Sequence, residues 1–390
     1  MKILHALESF LQVSENWIYP QVTGVRGVEP AVLCRELLNL DIFPPDGAQV
    51  FRDPPPWGYA LGLPRLVNSI AFRIGHPQVI ASREVSRWRP GLIHAHFGMK
   101  GWEMLGLKQR LGVPLVTSFY GMDAWKLAHA SAMWRGRYAE LFAKGNLFLA
   151  EGPAMRDRLV AIGCAPEKAK VVRLGVNLES LAFVERDFKP PLEVVMMARF
   201  MEKKGFPDGL RAFAEAVRHG ADLRMTIIGD ATDEVGARIK DELHKIVSSS
   251  PGISGRVSFT GFLTPADANE RLRKSCVFLC PSKHSRDGDA EGGSPLALTQ
   301  AMALGLLCIG TRHCDIPEVI HHGETGLLAE SGDVEGLATL LSTAIQNPGE
   351  SKAICRRGCE HIRAHFSTAT QMAALESIYT SLLHSTSMAR

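Results

Sequence analysis

Val277-Phe-Leu-Cys280, followed after a short loop by Asp289-Ala-Glu-Gly-Gly-Ser-Pro-Leu-Ala-Leu-Thr-Gln-Ala-Met-Ala303, sets the reading of the fold. The first four residues predict a buried strand. A glycine-rich turn then leads into a helix opening near Pro295, since proline loses nothing in the first helical turn. The N–H groups of Gly292, Gly293, Ser294 and Leu296 would lie at the positive end of that helix, where an anion binds. Glu291 at the mouth would repel a phosphate and suits sugar hydroxyls better. A plain loop with an N-cap accounts for the same residues and stays open at this point.

Strand, turn and helix recur outward from this segment in both directions, the pattern of parallel α/β layers. In the first half the strand candidates are Lys2–His5, Leu92–His96, Pro114–Phe119, Leu147–Ala150 and Lys170–Arg173, with a helix over Arg156–Ile162 that ends at Gly163. In the second half they are Glu193–Ala198, Arg224–Ile228, Arg256–Thr260, Val277–Cys280 and Leu307–Gly310. Val184-Glu-Arg-Asp-Phe-Lys-Pro-Pro191, charged and proline-bearing, reads as the linker between domains 1–184 and 191–367. A last helix at about 368–385 is too apolar on one face to stand free. Residues 41–64, with Pro-Pro and Pro-Pro-Pro, read as a loop-rich insertion. Two doubly wound domains would present their strand carboxyl ends to a shared cleft, where ligands of such sheets bind.

A chain of 390 residues fits two domains of ordinary size. Hydrophobic residues at 46% and charged residues at 22% exclude disorder and fibrous repeats. The weakly polar run 296–310 falls short of the roughly 20 residues that span a bilayer, and the amino-terminal run reads as a strand rather than a signal peptide. Cytoplasmic placement follows. The net charge of +3 divides unevenly, +6 through Pro190 and −3 beyond, and Arg65–Arg110 carries eight basic against two acidic residues. That bias suits an anionic membrane surface or acceptor, and equally a solvated basic face; nothing in it points to nucleic acid. The eight cysteines form no CxxC pair and read as buried or idle thiols of a reducing compartment.

The motifs of nicotinamide dehydrogenases, P-loop NTPases, zincins and α/β-hydrolases are absent. A second cluster, Ala198-Arg-Phe-Met-Glu-Lys-Lys-Gly205, follows the first strand of the second domain. Arg199 offers a fixed fork and Lys204 a mobile point charge, and a diphosphate uses both. A solvated basic turn fits Lys203 better. In the first domain Ile93-His-Ala-His-Phe-Gly98 places His94 and His96 on one strand face. His96 lies nearer the strand's carboxyl end, and His94 reads as a core histidine. With two histidines and no third ligand at a telling spacing, no metal is expected there. Asp287-Gly-Asp289 is weak support for a divalent ion, and His313, Cys314, His321 and His322 read as structural.

Taken together these residues resemble the retaining glycosyltransferases of family 4, which have the GT-B fold of two Rossmann-like domains. The carriers are Ala198–Gly205, Ile227-Ile-Gly-Asp230, Phe259-Thr-Gly-Phe-Leu263, the Glu291 segment, Thr311–Glu318 and Gly323–Leu328, with His94–Gly98, Ser118–Asp123 and Leu174–Asn177 in the first half. Ser14-Glu-Asn-Trp-Ile18 and the Gly-Gly-Ser-Pro variant resemble the exopolysaccharide and colanic-acid branch. The resemblance implies a nucleotide-sugar donor, UDP-linked and UDP-glucose by expectation, held by the second domain, with a saccharide or lipid-linked acceptor at the first. It implies that Arg199 and Lys204 neutralise the departing diphosphate and that Glu291 holds the donor sugar. Gly229, Asp230, Phe262 and Leu263 would lie near the base, and His96 near the sugar. No cofactor and no metal are expected, and no nucleophile stands out, in keeping with front-face retention. Two departures stand out. Gln300 replaces, one residue on, a second glutamate that binds ribose, and Tyr120 stands where many relatives have histidine. A sugar-phosphate synthase, a nucleotide-sugar epimerase, or a sugar-nucleotide-binding or scaffold protein with a decayed site are the rival readings.

Overall fold

The structure is a computed structural model that describes residues 1–52 and 79–388. The chain forms two compact units, Met1–Gly175 with Thr368–Arg390, and Val176–Ser367.

The strands of the first unit are β1 (Lys2–Ala6), β2 (Ser9–Phe10), β3 (Glu29–Cys34), β4 (Glu36–Leu37), β5 (Gln49–Arg52), β6 (Leu92–His96), β7 (Leu115–Ser118), β8 (Leu147–Ala150) and β9 (Ala169–Val171). Seven of them build a parallel sheet in the order β5-β3-β1-β6-β7-β8-β9, and β2 pairs with β4 beside it. Winding reverses between β1 and β6, the position where sheets of this kind open a crevice. Alternation along each strand sends Leu4, Ala6, Ile93 and Ala95 to one core and Ile3 and Leu92 to another. Met372, Leu375 and Tyr379 of the helix Thr368–Met388 cover the second of these, which is why that helix carries an apolar face. A sheet buried on both sides explains why its strands read as apolar runs.

Residues 41–64 were expected to be loop. Gln49–Arg52 instead add the edge strand β5, paired in register with Ala31–Cys34. The remainder of that insertion, 53–64, lies outside the described residues, as do Arg65 and Arg73 of the basic stretch.

The second unit holds β10 (Leu192–Met197), β11 (Leu223–Ile228), β12 (Val257–Gly261), β13 (Val277–Cys280), β14 (Leu307–Thr311) and β15 (Leu327–Ala329). They form a parallel sheet in the order β12-β11-β10-β13-β14-β15, with winding reversed between β10 and β13. Val194, Met196 and Ile227 face one core and Val195, Ile228 and Phe278 the other.

Residues 184–191 do not behave as a free linker. Phe188 is buried in the core of the second unit. The Arg186 guanidinium is buried and donates to the carbonyls of Leu304 at 2.7 Å, Gly305 at 3.3 Å and Arg273. A side chain with five donors, satisfied by three carbonyls of one unit, anchors the segment there. The division falls earlier, at Gly175/Val176, where the Val176 N–H donates to Phe366 O at 2.8 Å.

Candidate active site

Loops at the carboxyl ends of β10, β13 and β14 converge on Glu291. The single turn Glu202–Lys204 after β10 ends in Gly205 at φ +64°, and a Cβ there would stand 1.8 Å from Pro281 O. Only glycine allows the two loops to approach so closely. Lys204 Nζ thereby comes within 2.8 Å of Glu291 Oε2, and the Ser282 hydroxyl donates to Oε1 at 2.8 Å. From the loop after β14, His313 Nε2 accepts the Glu291 backbone N–H at 3.3 Å. Glu291 is 5% exposed. Burial pushes its carboxyl up, but the ammonium groups of Lys204 and Lys203 and the hydrogen bonds from Lys204 and Ser282 outweigh that and hold it below the usual carboxylate range. An ionised, oriented carboxylate results.

Lys203 corrects its sequence reading. It is buried, 3.0 Å from Asp289 and donating to Ala290 O at 3.0 Å. It braces the loop that carries Glu291, and it occupies one carboxylate of the Asp287/Asp289 pair. His313 was read as structural too, yet it touches Glu291. Its position just past the carboxyl end of β14 is the signal that would have found it, and the same holds for Ser282 after β13. Burial first, then the neighbouring His284 and Lys204 against the opposing Glu291 charge, lower the His313 pKa to about 4, so its Nε2 is free to accept.

Pro295 stands at the N-cap of the helix Leu296–Ala303 without a side-chain cap bond. Among the described residues, the backbone N–H groups of Gly292, Gly293, Ser294 and Leu296 have no hydrogen-bond acceptor. Ser294 Oγ is buried and also without a partner. Gly292 and Gly293 are buried and Ser294 and Leu296 half-buried, and donors gathered in one turn at a helix N-terminus suit an anionic ligand. Arg199, in the turn after β10, is exposed and has no ion-pair or hydrogen-bond partner among the described residues.

The residues expected near the base lie at the ends of β11 and β12. Gly229 has φ +130°, and a Cβ there would meet Ala198 O at 1.9 Å. Its N–H donates to Gly261 O at 2.9 Å. Asp230 is paired with Lys240 at 2.8 and 3.1 Å, and that hydrogen bond holds its carboxyl below the usual range. Phe262 is 57% exposed, an unusual position for a phenyl ring, and Leu263 packs against the core of the second unit. The Gln300 amide donates to Asn269 Oδ1, so its NH2 group is already engaged.

In the first unit His96 is the last residue of β6, at the strand's carboxyl end as expected. Its ring is buried at 0% exposure, with Nε2 3.1 Å from His5 Nδ1 and Nδ1 sharing a 2.7 Å hydrogen bond with the Tyr120 hydroxyl. Parallel pairing is the reason: His5 is in register with His94, so β1 supplies a third imidazole to the same face. His94 is a core residue, bonded to the hydroxyls of Tyr379 at 2.7 Å and Ser118 at 2.8 Å. The expectation of only two histidines here is thereby corrected. Nearby, the buried Asp123 accepts the N–H groups of Gly98, Tyr120 and Ala124. Burial pushes its carboxyl up to about 6 against those bonds.

The sequence profile described as "Glycosyl transferases group 1" matches residues 191–347, and that of "Glycosyltransferase Family 4" matches 25–180. The colanic acid biosynthesis glycosyltransferase WcaL of Escherichia coli K12 is 30% identical over 74% of this chain and 70% of its own. The chain belongs to glycosyltransferase family 4. The amylovoran biosynthesis glycosyltransferase AmsK of Erwinia amylovora is 31% identical over 68% of this chain and 63% of its own, so the match spans a little under two thirds of that relative. Both belong to exopolysaccharide synthesis by name, in line with the branch resemblance. A crystal structure of Anabaena HepE in complex with UDP and glucose superposes with a TM-score of 0.77 at 18% identity, covering 98% of this chain and all of that one. That likeness gives the GT-B fold.

Proposed function

We propose that the protein transfers a hexose from a UDP-sugar, UDP-glucose being the first candidate, to a saccharide or lipid-linked acceptor during exopolysaccharide assembly, with retention and without a catalytic metal. The carrying observation is the Glu291–Lys204 pair set beside the unpaired N–H groups of Gly292, Gly293, Ser294 and Leu296 and the orphan Ser294 hydroxyl. An ionised carboxylate suits the donor sugar's hydroxyls. Lys204, Arg199 and the helix N-terminus suit a diphosphate leaving group, whose developing charge preorganised donors stabilise. A β-phosphate oxygen would take the acceptor's proton in a front-face displacement. The names of AmsK and WcaL support the polysaccharide setting, and the UDP and glucose held by HepE support the donor class. The first unit would receive the acceptor, and its basic residues would favour a lipid-linked one through peripheral contact with an anionic membrane. Among the described residues no helix is long and apolar enough to cross a membrane.

The test is a panel of UDP-, GDP- and ADP-sugars, with and without added Mg2+ or Mn2+, followed by nucleotide release. Slow hydrolysis of one donor, equal with and without the ion and lost in Glu291→Ala, is the expected result. Release of no nucleotide, with a nucleotide-induced rise in melting temperature, would move the reading to a sugar-nucleotide-binding protein with a decayed site, and neither signal would move it to a scaffold protein.

A further inference from the structure

The first unit holds a cluster that the proposed transfer reaction does not use. His5 from β1 and His94 and His96 from β6 project from the same sheet face, all three at 0% exposure. One ring nitrogen from each lies within 4.8 Å of the others. Ring centroids are 5.4 Å apart for His5–His94, 5.4 Å for His5–His96 and 4.4 Å for His94–His96. A tetrahedral zinc with Zn–N of about 2.0–2.1 Å sets its nitrogens about 3.4 Å apart and imidazole centroids about 5 Å apart. The closest pair, His5 Nδ1 and His96 Nε2, stands at 3.1 Å.

The outer nitrogens are arranged as they are around bound metals. The Tyr379 hydroxyl holds His94 Nδ1 and the Tyr120 hydroxyl holds His96 Nδ1, each at 2.7 Å, which fixes the ring orientation and leaves the Nε2 atoms turned inward. Ser118 Oγ, 2.8 Å from His94 Nε2, brings an oxygen to the same spot. Burial also holds all three imidazoles neutral, the form that ligates metal.

We propose that His5, His94 and His96 form a structural site for a divalent transition ion, zinc(II), with Ser118 Oγ as the fourth donor. Binding draws in the longest of the nitrogen separations and clasps β1 to β6. Because His94 is also bonded to Tyr379, the ion secures the surface on which the helix Thr368–Met388 lies. The ion is held wholly by residues of the first unit.

The test uses the untagged full-length chain, stripped with chelator, dialysed against zinc and assayed by emission spectrometry, with cobalt(II) as a visible probe. The expected result is one equivalent of zinc retained, cobalt absorption of tetrahedral intensity, and a melting temperature raised by several degrees on adding zinc. His5→Phe should lose all three while keeping the far-ultraviolet circular dichroism of the parent. Wild-type chain that retains under a tenth of an equivalent of zinc, shows no cobalt bands and melts unchanged overturns the proposal, whatever the variant does. Nucleotide release is read separately, so failure of the donor-site reading leaves this result standing, and the reverse.

Discussion

Lys204 Nζ and Glu291 Oε2 are 2.8 Å apart, yet they come from loops following different strands, 87 residues distant in the chain. Glu291 is the more deeply buried partner. Removing only the lysine strands a buried carboxylate, and breaking such pairs costs about 3–5 kcal/mol. Lys204→Met should therefore lower both stability and turnover, whereas the double variant Lys204→Met/Glu291→Gln should recover much of the stability and none of the turnover. Denaturant unfolding and steady-state rates on the same four proteins separate the two effects. Turnover in Glu291→Gln within twofold of wild type would remove this carboxylate from the proposed chemistry.

Ser294 gives a prediction of opposite sign for stability and binding. Its buried hydroxyl has no partner, a cost of about 1–3 kcal/mol. Ser294→Ala should leave the ligand-free protein as stable as wild type or more so, and weaken nucleotide-sugar affinity by about tenfold. Calorimetric titration beside thermal melts checks both. Arg199→Ala, at an exposed position, should weaken the same affinity with no effect on melting.

His313 couples the Glu291 loop to pH. The imidazole is 2% exposed and its pKa is lowered to about 4, against about 6.5 in an unfolded chain. The folded state thus binds fewer protons between those values, and stability, complete above about pH 6.5, falls as the pH drops toward 4. The contribution lost is roughly 3 kcal/mol at 1.36 kcal/mol per unit. His313→Gln keeps an acceptor for the Glu291 N–H and cannot titrate, so it should flatten the acid limb of a stability-against-pH curve while retaining most of the turnover. His313→Ala should flatten it too but raise KM for the donor.

Gly229 tests the backbone. Its φ of +130° and the 1.9 Å that a Cβ would leave to Ala198 O mean that Gly229→Ala must displace the end of β10. A loss above about 3 kcal/mol is expected, from the conformational penalty and the clash together. Unchanged melting would show that the β10 and β11 ends are more yielding than their contacts imply.

Sheet strands buried on both faces were readable from sequence, because a short apolar run flanked by turns has few other uses. Leu92–His96, Leu147–Ala150 and Val277–Cys280 have the expected bounds. β3 and β5 were not read, since Glu29-Pro-Ala-Val-Leu-Cys34 contains a proline and Gln49-Val-Phe-Arg52 sits at a sheet edge with polar ends. The Glu291 turn was legible because its glycines and proline act locally. Its supports were not: Ser282 lies in the same loop but belongs to no motif, and His313 follows β14, where only sheet order brings it to Glu291. The same limit hid His5, whose partnership with His94 depends on parallel register across 89 residues. Arg186 was misread because charge suggests solvent, while the carbonyls that take it indoors lie more than 80 residues away.

The helix Thr368–Met388 belongs to the unit that begins the chain, although all of the other unit is encoded between them. On a ribosome the β1–β6 face would therefore wait, its Ile3, Leu92 and Val116 uncovered, through the synthesis of nearly 200 residues. Residues 176–367, by contrast, are contiguous and can close their core as they emerge. The order of birth thus runs against the order of completion: the unit started first is finished last, and a nascent-chain chaperone would find its apolar sheet face open for most of that interval.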